Sequence, residues 1–112
     1  MDLADIKGAK GKADGIKFNL VVYALAAFET EAVNNSTVLK TVQEIAVMDE
    51  DQYKTIISLN NQACGWMKAN QFYLLKNASA YRGEIKVWPP AMAIPAPEGM
   101  RFNLSGIDLS LP

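Results

Sequence analysis

The chain contains no histidine at all. That removes the commonest general base, the Ser-His and Cys-His nucleophile pairs, and the commonest zinc ligand. Cysteine is present once, at Cys64, so neither an internal disulfide nor a four-thiolate metal site can form. Without an activating histidine, that thiol is expected to act as a small hydrophobe rather than a nucleophile. Charge of one sign is also missing: 11 basic and 12 acidic side chains leave a formal net charge of −1, and nothing draws the whole molecule toward nucleic acid or an anionic membrane. The longest apolar run, Leu20 to Phe28, is far short of the roughly 20 residues a membrane-crossing helix needs. The opening residues are polar and acidic, with no basic stretch leading into an apolar one. The sequence reading is therefore a protein made in the cytoplasm with no membrane partner, one that could be incorporated into a particle.

What is present is an ordinary globular composition: 112 residues, half of them apolar and about a fifth charged. This is enough for one compact domain. No phosphate loop or dinucleotide fingerprint occurs; Gly8, Gly11 and Gly15 have the density of one but no strand before them. With the usual catalytic combinations absent, the sequence predicts neither an enzyme nor a cofactor or metal site.

Along the chain, residues 1–15 alternate Gly8, Gly11 and Gly15 with Lys7, Lys10 and Lys12 and read as a flexible arm. Residues 16–88 read as a mainly helical core and 89–112 as an extended arm. Ile16, Phe18, Leu20 and Val22 fit a short strand, but the alanines at 24, 26, 27 and 32, with Glu29 and Glu31, favour helix. Val38, Val42, Ile45 and Ala46 recur at helical spacing behind a Ser36 or Thr37 cap. Tyr53, Ile56, Ile57, Asn60, Cys64 and Met67 trace one stripe behind Asp49-Glu50-Asp51, which reads as a capped first turn. The expected fold is therefore α+β, with about three helices (residues 20–33, 37–48 and 50–77), then C-terminal strands and a proline-rich arm. Gly83 to Trp88 alternates as a strand, ended by Pro89-Pro90. Gly15 to Leu20 echoes Gly99 to Leu104 in residue type at all six positions. Beyond Gly106 the apolar alternation slips by one residue, as a bulge would cause.

Two features suggest function. The C-terminal arm carries Met100, Phe102, Leu104, Ile107, Leu109 and Leu111, too apolar to lie in water, since burying a leucine-sized side chain contributes roughly 1.5–3 kcal/mol. These residues are expected either to wrap the chain's own helices or, the preferred reading, to enter grooves on a neighbouring copy. The protein would then be a non-catalytic structural subunit of a homo-oligomer, a filament, or a viral or phage particle. Between Trp66 and Phe102, cations interleave with aromatics, and Arg82, Lys86, Trp88 and Arg101 are candidate contacts to single-stranded nucleic acid. A small regulator docking on a larger protein is a further reading.

Overall fold

The computed structural model describes Leu3 and residues 17–35, 38–81, 84–87 and 90–112. It overturns the helical reading: seven strands make one mixed sheet, and apart from Leu3, itself helical, the described residues are helical only in two single-turn 3-10 segments, Asn61–Ala63 and Glu98–Met100. The strands are β1 (Lys17–Ala27), β2 (Glu31–Asn35), β3 (Val38–Met48), β4 (Lys54–Asn60), β5 (Gln71–Tyr81), β6 (Glu84–Val87) and β7 (Met92–Pro95). The expected helices at 20–33, 37–48 and 50–77 fall on β1 and β2, on β3, and on β4 through most of β5. The strand expected at the end of the core is β6. The Gly/Lys arm, the Ser36 and Thr37 cap, and Arg82 and Trp88 lie outside the described residues. No described helix is long and apolar enough to cross a membrane.

Five strands close on themselves. β1 pairs with β3, β3 with β4, β4 with β6, β6 with β5, and β5 back with β1. All are antiparallel except β4–β6. β2 extends the sheet beside β3, and β7 lies along β5 beyond the end of β6. This ring is the strand order of an OB-type Greek-key barrel. Closure depends on β1, whose first part pairs with β5 and whose last part pairs with β3. Tyr23 and Ala24 pair on both edges. Two irregularities bend it. One is at Ala24/Ala26 against β3; the other is at Phe18/Leu20 against β5, where Asn77 takes a left-handed φ of 54° and donates its N–H to Asn19 Oδ1 at 3.0 Å.

Inward residues follow the strand period of two. Val22, Ile45, Val47, Ile57, Leu59 and Leu75 are fully enclosed in the interior cluster. Ala63 and Met67, beyond β4, join them, as does Leu3. Leu3 is held by Asp49, the residue expected to cap a helix. Asp49 instead organises the β3–β4 turn. Its buried carboxylate accepts the backbone N–H groups of Leu3 (3.1 Å), Asp51 (3.0 Å) and Tyr53 (3.0 Å). Gln43 ties the far end together: Nε2 donates to Phe28 O at 2.9 Å and Oε1 accepts from Gly65 N–H at 2.7 Å.

Candidate functional site on the outer barrel face

The pairing register fixes which side chains share the outer surface. In one row across β4, β3, β1 and β5 stand Lys54, Met48, Tyr23 and Phe72. The next row along β1 and β5, continued onto β7, holds Val21, Leu74 and Ile94, all half-buried. At the far end of β1, Lys17 faces Ser79, which faces Lys86 on β6. Lys76, opposite Met92 on β7, is exposed on the same side. Tyr23 and Lys17 are six residues apart, about 20 Å at the usual strand rise. This surface is aromatic at one end, aliphatic in the middle and cationic at the other.

The aromatic end is covered. Tyr23 is only 8 % exposed and Met48 0 %, yet neither belongs to the interior cluster. The C-terminal segment lies against this row at both ends. Ala96 N–H donates to Phe72 O at 3.0 Å. The Phe102 ring then meets Phe72 edge-on at 4.9 Å, and Phe72 meets Tyr23 edge-on at 4.9 Å. Further along, Lys54 Nζ donates to Ser110 O at 2.7 Å and approaches Asp108 Oδ2 at 3.9 Å. From β5 to β4 is three strand spacings, about 14 Å; the eight residues from Phe102 to Ser110 span it with slack, taken up by a turn in which Ile107 N–H donates to Leu104 O at 3.1 Å. Gly106 there has φ 74°, so the slip in alternation marks a turn rather than a bulge in a strand. Residues 101–104 form no strand, whereas the described part of the echoing stretch, residues 17–20, lies in β1, so over these positions the echo is not conformational. Asp108 is held below its ordinary pKa, first by the backbone N–H of Ser110, then by the Ser110 hydroxyl and the Lys54 ammonium.

The arm residues thus divide. Phe102, Leu104 and Ile107 are half-buried, while Met100, Leu109 and Leu111 stay 53 %, 40 % and 52 % exposed. Of the residues singled out for nucleic acid, Lys86 takes its place in the cationic row. Arg101 is exposed, its Nε donating to Ala96 O at 3.0 Å. Sequence reasoning missed Lys17, Tyr23, Met48 and Lys54, which come together only through pairings between distant strands. The period-two alternation of β1 was their one visible signal.

The opposite flank has the other sign. Phe28, Glu29, Glu31, Val33, Val42 and Glu44 line a depression of about 360 Å³. Its three carboxylates repel phosphate, and among the described residues no acidic or thiol cluster is arranged to hold a metal ion. Beside β7, Trp66, Met92, Ala93 and Ile94 line an apolar hollow of about 290 Å³. Cys64 is half-buried, its thiol donating to Leu59 O at 3.4 Å.

No protein-family model matches the chain, and no curated protein matches it in sequence. A solved structure described as "Molecular basis for abrogation of activation of pro-inflammatory cytokines" is similar in fold, with a TM-score of 0.63 over 78 % of this chain at 17 % identity. The match covers 46 % of that chain, and at this identity the likeness is one of fold alone.

Proposed function

We propose that the protein binds single-stranded nucleic acid across the outer face of β1, β5 and β7. One observation carries this reading: the register puts the Tyr23–Phe72 aromatic pair at one end of a surface whose other end carries Lys17 and Lys76. Single-strand grooves combine these two elements, aromatic faces for bases and cations that track phosphates. The barrel order adds support by analogy, since OB-type barrels host oligonucleotide and oligosaccharide sites. The acidic flank at Glu29, Glu31 and Glu44 directs a polyanion to the opposite side of the ring.

The test is fluorescence anisotropy with a labelled oligothymidylate across a salt series. Binding is expected to weaken with salt. Lys17→Ala with Lys76→Ala should make the log–log slope shallower by about 1.4, at about 0.7 per phosphate contact on a single strand. Wild-type protein that shows no salt-dependent binding refutes the proposal.

A second reading, an assembly subunit built from copies of this chain, draws on the exposed Met92, Met100, Leu109 and Leu111. It requires a mass by light scattering that grows with concentration; a monomer throughout would exclude it.

A further inference from the structure

Resting on the nucleic-acid reading, we infer that the C-terminal segment is a displaceable cover on the aromatic half of the binding face: Phe102 takes the contact on Phe72 that a base would use, and the Asp108 carboxylate takes the place at Lys54 that a phosphate would use. The row Lys54–Met48–Tyr23–Phe72 beneath it is then a second, closed part of the site, and its ligand is a single-stranded oligonucleotide.

Three observations support this. The first is chemical. The segment brings one aromatic ring and one carboxylate to the outer face, and they land on the aromatic and the cation of this row, 4.9 Å ring to ring and 3.9 Å Nζ to Oδ2. The second is the path. The segment runs from β5 to β4, bonding the sheet backbone at its start, where Ala96 N–H meets Phe72 O, and no residue after Pro95 belongs to a strand. A chain attached through side chains and a few terminal hydrogen bonds leaves without breaking a sheet ladder, as β7 could not. The third is the exposure of the polar anchor. Asp108 is exposed and its ion pair with Lys54 is long, and the shorter bond from Lys54 Nζ to Ser110 O, 2.7 Å, is also open to solvent, so the contact can exchange with a competing anion. Between these two contacts, in the same row, stands Met48, fully enclosed although it is outside the interior cluster. Removing the segment opens an apolar floor flanked by a cation and two rings.

The cover and the ligand therefore compete, and apparent affinity is reduced by the fraction of molecules in which the face is closed. Two measurements test this. The first compares the affinity of wild type and of Phe102→Ala/Asp108→Asn for the same labelled oligothymidylate. The second uses wild type only and follows tryptic cleavage after Arg101, which releases residues 102–112 as one peptide because they contain no lysine or arginine. The variant is expected to bind about tenfold tighter, corresponding to a face open in about a tenth of wild-type molecules. Release of the peptide from wild type should speed up when the oligonucleotide is saturating. If wild type binds but the variant binds no tighter and cleavage is unchanged or slowed, the cover is wrong and the nucleic-acid reading stands. If neither protein binds, both are overturned.

Discussion

Replacing Asp49 by alanine is expected to destabilise the protein by about 3 kcal/mol. The carboxylate accepts three backbone N–H groups, and a hydrogen bond to a charged group contributes about 1.5–3 kcal/mol. The three are not equal. Asp51 and Tyr53 are exposed residues, so their N–H groups can regain water when the carboxylate is removed; about 0.5–1 kcal/mol each is a fair net value. Leu3 is fully enclosed, and its N–H would be left without a partner, at about 1–3 kcal/mol. Leu3→Ala should itself cost about 2–5 kcal/mol, as for other large-to-small changes in an interior. The two changes should not add. Once the leucine side chain no longer anchors residue 3, its bond to Asp49 has little left to lose, and the double variant should fall short of the sum by about 1 kcal/mol. Urea unfolding followed by tryptophan fluorescence gives all four stabilities. A loss below about 1 kcal/mol for Asp49→Ala, or strict additivity with Leu3→Ala, would refute the account of Asp49 as the residue that fastens Leu3 to the β3–β4 turn.

Two further outcomes follow from the C-terminal segment. The Asp108 contact should respond to acid. Its pKa is depressed in the folded protein, so its contribution is present above the ordinary value of 3.8 and is lost as the pH falls through the folded value. Release of the 102–112 peptide, measured with an acid-tolerant protease cutting near Arg101, should be constant from pH 5 to 8 and rise only below about pH 4; a rise between pH 5 and 7 would contradict this. Gly106→Ala places a side chain at φ 74°, where space is open but the backbone conformation is disfavoured, and should destabilise the turn by about 1 kcal/mol. Unchanged thermal stability together with unchanged cleavage would show that the turn is not needed to hold the segment in place.

The apolar content was plain in the sequence but the fold was not, and β3 explains why. A strand with one covered face alternates, and one with both faces covered does not. Ile45 and Val47 face the interior, while Ala46 and Met48 lie on the outer side and are equally enclosed. The resulting run, Ile45 to Met48, blends with Val38 and Val42 into a spacing that fits a helix as well as a strand. The residues that hide the alternation are Ala46 and Met48, enclosed on the outer side of the strand. In β1, the alanines at 24, 26 and 27 argued for helix by propensity, but a strand paired on both edges overrides a weak local preference. The apolar character of the arm was legible, and so was its need to lie on a surface. Whether that surface was the chain's own was left between two options, because Phe72 and Lys54 reach it through pairings no local pattern encodes. The cationic row was half legible: Lys86 stood out beside aromatics, whereas Lys17 joins it only through Ser79, 62 positions away.

The double pairing of β1 also sets the order in which the molecule can be built. β3 and β4 are joined by a short turn and can zip together locally. β1 meets β5 only across separations of 47 to 62 residues, from Ala24 with Gln71 to Lys17 with Ser79. Bringing such distant segments together costs loop entropy before any contact repays it, which places the chain among slow, millisecond-to-second folders. Until Tyr23 and Ala24 engage both neighbours, the sheet is an open ribbon with two unpaired margins. Ring closure is therefore the moment at which a sticky intermediate becomes a molecule with a protected interior, and a newly made chain is most exposed to aggregation just before it.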